Sequence, residues 1–272
     1  YKRMTNKIKI SVVGAAGRMG SQVMSQSLDS DLFELVGAIE FSGSNHVGND
    51  ISSVIGGDKT GIIITDNSIE CILNSDAVID FSSPLSTISI CELTAQARKV
   101  HVIGTTGFNT KQEEQILAAA RHATIIKSGN MSLGVNALLG TVERLSNSLD
   151  DSWDIEISDA HHRDKVDSPS GTALDLAQAA AIGRSVSLDS VMDISRNGNN
   201  LERKKGDIGI TSIRGGSIVG DHSVIFAGDG ERIVISHLAE NRNVFVKGAL
   251  KSAEWGIKKG PGLFSAKDVL GF

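Results

Sequence analysis

Residues 8–20, IKISVVGAAGRMG, constrain the fold more than any other stretch of this chain. Ile8, Ile10, Val12 and Val13 form a short β-rich run. The chain then turns through Gly14-Ala15-Ala16-Gly17-Arg18-Met19-Gly20 into a helical pattern with Met19, Val23 and Leu28 near one face. The turn is GxxGxxG, with Ala16 where the commoner GxGxxG carries its middle Gly. Between a strand and a helix, such a turn exposes backbone N–H groups at a helix N-terminus, whose partial positive charge favours a pyrophosphate. A Gly-rich turn with no ligand is the plainer reading of the same residues. A second strand at 33–39 ends in Glu40, where an acidic side chain accepts hydrogen bonds from an adenosine ribose. A solvated strand-end carboxylate is the alternative there.

Further α/β units follow. A strand at 77–81 leads to Ser83 and Pro84, an N-cap and first helical residue for a helix through Ala97. The strand at 100–103 ends in Gly104-Thr105-Thr106-Gly107, and Thr110 with Glu113 reads as a capping box for a helix reaching about Ala120. The strand at 124–127 ends in Ser128-Gly129-Asn130-Met131. Small polar turns at the carboxyl ends of successive strands are where an open parallel sheet binds its ligand, although each can also be an ordinary turn. Residues 42–61 read as a long loop with little regular structure.

After Asn130 the pattern changes. A helical run carries Leu138, Leu139, Val142 and Leu145, and a strand at 153–157 leads into His161-His162-Arg-Asp-Lys165-Val-Asp-Ser-Pro-Ser-Gly171-Thr172-Ala. Imidazole and ammonium groups exchange protons with a reacting substrate, and a Gly-Thr turn entering a helix at 173–182 can offer N–H groups to a carboxylate. Residues 193–207 read as a polar loop. Three strand-like runs at 208–238, separated by Gly215-Gly216 and Asp229-Gly230, read as antiparallel. Residues 243–255 read as a helix that packs back on the first domain. The expected fold is α/β, a Rossmann-like parallel sheet with a second α+β domain carrying a mixed or antiparallel sheet. The expected division is 1–130 plus 241–272 against 131–240.

Composition narrows the function classes. A formal net charge of -5 argues against nucleic acid or an anionic membrane surface, and 4% aromatics argue against a base-stacking platform. Cys71 and Cys91, both in apolar segments, suit buried thiols in a reducing compartment, and no secretion or membrane segment is evident, so a cytoplasmic protein is expected. No metal is expected, because adjacent histidines on a strand point to opposite faces and no third ligand stands at recognisable spacing. His101, His122, His222 and His237 read as structural or exposed. Arg214 and Arg242 add positive charge to the site only if the fold brings them near it.

GAAGRMG, IGTTGF, SGNMSLGVN and above all HHRDKVDSPSGTA resemble the motifs of the dihydrodipicolinate (4-hydroxy-tetrahydrodipicolinate) reductase family, over essentially the whole chain. The resemblance implies an NAD(P)H-dependent oxidoreductase of the diaminopimelate route to lysine, acting on a small dicarboxylate. It implies a dinucleotide-binding first domain, with Gly14, Ala15, Ala16, Gly17, Arg18 and Met19 on the pyrophosphate and Glu40 on the ribose. Gly104, Thr105 and Thr106 with Ser128, Gly129, Asn130 and Met131 would line the nicotinamide side. His161 matches a proton donor/acceptor, Lys165 a proton donor, His162 a substrate contact, and Gly171 with Thr172 a carboxylate grip. The second domain would bind substrate and join a homotetramer. One departure stands out: many members carry an Arg after the ribose-binding acid to pair with the 2′-phosphate of NADPH, and here the residue is Phe41. NADH is therefore the expected cofactor over NADPH, unless a loop cation such as Lys59 compensates. Two rivals share some of these features: a non-catalytic dinucleotide sensor, which leaves the histidine motif without a purpose, and a dehydrogenase of another small dicarboxylate.

Overall fold

The structure is a computed structural model that describes residues 7–194, 196, 198, 199 and 201–272. Of the polar loop expected at 193–207, residues 195, 197 and 200 lie outside the described residues. The chain forms two compact units, one running through Ser132 and resuming over Phe245–Val269, the other comprising Leu133–Val244 and Leu270–Phe272.

The first unit alternates strand and helix: β1 (Ile8–Val13), α1 (Arg18–Leu28), β2 (Phe33–Ile39), α2 (Ser52–Ile55), β3 (Ile64–Thr65), α3 (Ser68–Asn74), β4 (Ala77–Asp80), α4 (Pro84–Ala97), β5 (Val100–Ile103), α5 (Thr110–Ala119) and β6 (Thr124–Lys127). The second holds α6 (Leu133–Ser148), β7 (Asp154–His161), α7 (Gly171–Gly183), α8 (Leu188–Val191), β8 (Met192–Asp193), β9 (Ile208–Arg214), β10 (Asp221–Ala227) and β11 (Arg232–Leu238). The chain then returns through α9 (Asn243–Gly256), β12 (Gly262–Phe264) and α10 (Ala266–Leu270).

The first sheet is parallel throughout, in the order β12-β6-β5-β4-β1-β2-β3. Strands β4 and β5 are buried at every residue, as expected of parallel strands covered on both faces, so the polar side chains of Asp80 and His101 are buried along with the apolar ones. Strand order reverses at β1, with β2 on one side and β4 on the other. That is the switch point outside which a doubly wound sheet opens a crevice at its carboxyl edge. The turns after β1, β2, β4, β5 and β6 therefore share that edge. Val246 and Ala249 of α9 join Ile10, Val12, Ile79 and Val102 in the core. The helix approaches closely enough that a Cβ on Gly256 would sit 2.6 Å from Val100 Cγ1.

The second sheet is mixed, in the order β11-β10-β7-β9-β8. β7 alternates buried and half-buried residues, the signature of a sheet with one face on a core. Ile155, Ile157, Val224 and Phe226 pack there with Leu138 and Val142 of α6 and Leu176 and Ala180 of α7. Small residues let the two helices close on each other: a Cβ on Gly183 would lie 2.3 Å from the Glu143 carbonyl oxygen.

Several expectations shift. The three runs at 208–238 are strands, but only β10 and β11 form a hairpin. β9 pairs parallel with β7, which lies between it and β10. Nothing in the 208–238 stretch alone specifies an intervening strand from 50 residues upstream. The capping box of α5 sits one residue earlier than expected: Asn109 accepts from Gln112 N–H, and the Gln112 side chain accepts from Asn109 N–H. The 42–61 loop contains the short α2, closed by a bridge between Asp50 and Ile63. Finally, Leu270–Phe272 belong with the second unit, not the first, because the Phe272 ring fills the space beside Gly140 and lies 5.0 Å from the Arg144 guanidinium. Among the described residues, no helix is long and apolar enough to cross a membrane.

Candidate active site

At the carboxyl edge of the first sheet, β1 enters the turn at Gly14, which adopts a positive φ of 73°. A Cβ there would meet the Phe81 carbonyl oxygen at 2.7 Å, and one on Gly20 would meet the Gly14 oxygen at 2.1 Å. The first and third glycines thus let the turn hug β4 and the helix hug the turn. Gly17, at the N-cap of α1, supplies no side-chain cap, so no side chain competes for the N–H groups of the first helical turn. Gly17 and Arg18 are exposed, Ala16 and Met19 are half-buried, and Ala15 is fully buried, so Ala15 presents backbone only.

Glu40 does not stand free at the strand end. Its Oε1 accepts from Ala16 N–H at 2.8 Å, tying the tip of β2 to the turn. A cleft of about 640 Å³ opens beside them, lined by Gly14, Gly17, Glu40, Phe41, Asp66 and Ser82 among others. The uncapped helix start, the glycine cradle and this cleft fit a dinucleotide: Gly17–Met19 would hold its pyrophosphate and Glu40 its adenosine ribose.

The remaining expected cofactor residues lie along the same edge. Gly104 faces the Phe81 ring, which a Cβ would strike at 2.0 Å. Thr105 is buried, and its hydroxyl accepts from Ser82 N–H at 3.0 Å while lying 3.3 Å from Asp80 Oδ1, so it ties two turns together. Thr106 and Gly129 come within van der Waals reach across β5 and β6. Ser128 Oγ donates to the Asn130 carbonyl, and Asn130 Oδ1 accepts from Ser132 N–H. The Met131 side chain is in the core, leaving only its backbone at the edge.

In the second unit β7 delivers His161 as its last residue. Alternation along the strand puts Asp159 on the same face, and sheet register places His222 of β10 and Ser212 of β9 directly across from Asp159, with Arg214 across from His161. Asp159 is fully buried. Its Oδ1 lies 2.6 Å from His161 Nδ1, off hydrogen-bond alignment, and 3.8 Å from His222 Nε2. Burial alone would raise this carboxyl, but the Ser170 N–H and the Arg214 guanidinium outweigh it and hold it below the usual carboxylate range. Burial pushes His161 below the ordinary imidazole value. Asp159 opposes that shift, while Lys165 and Arg214 reinforce it. His222 is held at about 4, chiefly by burial and then by the neighbouring His161.

The motif then loops back. Lys165 Nζ pairs with Asp167 at 2.7 Å, and Arg214 Nη2 donates to the Asp167 carbonyl. Half-buried His162 carries the carbonyl that accepts from Lys165 N–H. Ser170 caps α7, its Oγ accepting from Ala173 N–H and lying 3.2 Å from His222 Nε2. Gly171 and Thr172 form the first turn of that helix.

Asp159, Ser170, Arg214 and His222 are thus added to the expected set. Asp159 had a local signal, two residues before His161 on one strand face. Ser170 lies within the motif itself, as the N-cap of α7, and Arg214 and His222 are brought in by strand pairing. Asp159 Oδ1, His161 and His222 have ligand atoms within 4.8 Å of one another, a grouping the local sequence does not reveal. The 2.6 Å gap is shorter than the roughly 3.3 Å that separates two ligands on one tetrahedral ion.

Comparison with known proteins assigns the family. Residues 8–131 match the family model "Dihydrodipicolinate reductase, N-terminus" and residues 134–270 match "Dihydrodipicolinate reductase, C-terminus". The 4-hydroxy-tetrahydrodipicolinate reductase of Parvibaculum lavamentivorans is 53% identical, over 98% of this chain and 99% of that protein. That of Dinoroseobacter shibae is 52% identical, over 96% and 97% respectively. In fold, the chain is similar to a dipicolinate-bound dihydrodipicolinate reductase from Paenisporosarcina sp. TG-14, with TM-score 0.76, 24% identity, and coverage of 95% of this chain and 97% of that one. With both family models matched along its length and relatives sharing half its residues, the chain belongs to the dihydrodipicolinate reductase family.

Proposed function

We propose that the protein is a 4-hydroxy-tetrahydrodipicolinate reductase, reducing 4-hydroxy-tetrahydrodipicolinate to tetrahydrodipicolinate with NAD(P)H on the diaminopimelate route to lysine. The observation that carries this reading is the cluster at the end of β7, where His161, Lys165 and the first turn of α7 are held by one loop. The substrate is a small dianion, so N–H donors and cations must surround it. Gly171 and Thr172 offer the helix N-terminus to one carboxylate, and His162 contributes a further contact.

When bound, the nicotinamide supplies the hydride; the side chains bind, orient and move protons. The 4-hydroxyl leaves as water to give the conjugated dihydro ring, and hydride addition to that ring leaves negative charge on it. Lys165, with His161 as donor or acceptor beside it, delivers the proton that quenches it, an effect worth roughly 10²- to 10⁴-fold. Gly104–Thr106 and Ser128–Met131 would border the nicotinamide.

The cofactor is NADH in preference to NADPH. The described residues lining the 640 Å³ cleft include two carboxylates, Glu40 and Asp66, and no Lys or Arg, Lys59 included. A 2′-phosphate there would meet repulsion and the exposed ring of Phe41. The chain assembles as a homotetramer through the second sheet, where Ile213, Val234 and Leu238 are exposed apolar side chains. Its compartment is the cytoplasm, in keeping with Cys71 and Cys91 as free, buried thiols.

The test couples purified protein to the preceding synthase with pyruvate and aspartate semialdehyde and follows NADH and NADPH absorbance. Consumption with a higher kcat/KM for NADH is expected. No consumption where a control reductase works rejects the activity, and a higher kcat/KM with NADPH rejects the cofactor preference.

A further inference from the structure

Asp159 carries more hydrogen-bonding partners than its place in the strand requires. Its Oδ2 accepts from Ser170 N–H at 2.8 Å, Ser212 Oγ at 3.2 Å and Arg214 Nη2 at 3.1 Å, while its Oδ1 faces His161 Nδ1 at 2.6 Å. The two oxygens therefore serve different parts of the motif. Oδ2 grips the N-cap of α7, the helix whose first turn carries Gly171 and Thr172. Oδ1 engages the inner nitrogen of His161 and directs Nε2 away from the carboxylate. On that outer side Gly220 leaves room: a Cβ there would lie 3.1 Å from Nε2.

We propose that Asp159 is a positioning residue that couples the two halves of the site, holding the His161 ring through one carboxylate oxygen and the carboxylate-gripping turn of α7 through the other. The proposal rests on the reading of His161 as the proton-handling group. It makes Nε2 the atom of His161 that exchanges the proton. It also makes the spacing between Nε2 and the α7 turn a property of one buried carboxylate rather than of the exposed loop between them. The Nδ1 contact is off alignment, and a rotation of the ring would complete the hydrogen bond. Such tightening on ligand binding is common in acid/base sites.

The charged and titratable neighbours of His161 come from every element around it. Arg214 projects from β9, His222 from β10 with its ring edge-on at 5.2 Å, and Lys165 with Asp167 from the following loop. His237 and Asp221 act one layer further out, on His222 and His237 respectively. Arg214, Lys165 and burial all disfavour the imidazolium, and Asp159 is the carboxylate that opposes them.

The experiment compares wild type with Asp159→Asn and Asp159→Glu. It measures the His161 pKa by NMR titration, assigned with His161→Gln, the pH profile of kcat and KM, the NADH Kd by fluorescence, and the melting temperature. Asp159→Asn should lower the His161 pKa by about one unit, move the pH profile the same way, and cut kcat about 100-fold, with the NADH Kd unchanged. Asp159→Glu keeps the charge but displaces it by a methylene, so it should restore the pKa while kcat stays depressed. A His161 pKa unmoved in Asp159→Asn overturns the proposal, whatever the melting temperature does. A shifted pKa with unchanged kcat leaves the ring contact standing and rejects the catalytic reading of His161 instead. Should Asp159→Asn fail to fold, wild-type kcat in Asp159→Glu overturns the coupling.

Discussion

His101 Nε2 lies 3.3 Å from Asp80 Oδ2, and both side chains are wholly excluded from solvent in the middle of the parallel sheet. Asp80 Oδ1 meanwhile accepts from Ser82 N–H and Ser82 Oγ, so the pair reaches the turn that lines the cleft beside Glu40. Burial by itself would push the imidazolium down. The hydrogen bond to Asp80, helped by Cys91, outweighs it and raises His101 to about 9. An ion pair in this position locks β4 to β5 at the edge where the nicotinamide would lie.

Stability should therefore depend on pH in two opposite senses. His101 holds its proton to about pH 9 when folded but only to about 6.5 when unfolded, so its contribution is complete below 6.5 and is lost as pH rises through 9. His222 has the reverse bias: folded it titrates at about 4, so acidification from 6.5 towards 4 protonates the unfolded chain first and lowers stability. Calorimetry from pH 5 to 9.5 is expected to show a maximum between these limbs. His101→Gln should lower the melting temperature and flatten the alkaline limb. An alkaline limb unchanged in that variant contradicts the assignment.

Gly20→Ala should damage the first unit directly. The new Cβ would sit 2.1 Å from the Gly14 oxygen and 3.0 Å from Ala15 Cα, backbone atoms that cannot rotate away. Overpacking of this kind costs about 3 kcal/mol. Denaturant unfolding measures the loss, and a parallel rise in NADH Kd is expected as the turn is forced open.

Phe41→Arg should shift cofactor choice. The position lines the cleft and the Phe ring is 69% exposed, so a guanidinium fits without repacking. A charge-assisted contact to the 2′-phosphate is worth about 1.5 kcal/mol or more, so NADPH Kd, read by fluorescence quenching, should fall about tenfold while NADH Kd changes little. An unchanged NADPH Kd would place the adenosine ribose elsewhere.

Lys165→Ala should cut kcat by about 10² to 10⁴ and leave NADH Kd within twofold, because Lys165 belongs to the second unit and the glycine turn to the first. The same variant frees Asp167 from its ion pair, so a small change in melting temperature is expected, as for partly exposed pairs.

Much of this molecule is local in origin. The strand–turn–helix at 8–28, the Ser83-Pro84 cap of α4 and the turns at 104–107 and 128–131 are short-range matters of periodicity, capping and backbone freedom, and all are legible in order along the chain. The histidine motif is legible too, because its chemistry-bearing residues are contiguous. The pairing of the 208–238 strands was not legible, since hydrophobic alternation tells which face a strand buries but not which neighbour it takes.

The sequence by itself thus determined a parallel α/β unit and a second α+β unit, a glycine turn between strand and helix, and a contiguous run of ionisable groups. The tertiary structure alone decided what surrounds His161. Inserting β7 between β9 and β10 sets Ser212 and His222 across from Asp159, and Arg214 across from His161, residues separated from them by more than 50 positions. It also turned Glu40 back onto Ala16 and buried His101 against Asp80. The physical reason is the same in each case: electrostatic environment is a property of distance through space, and only strand register converts distant positions into neighbours.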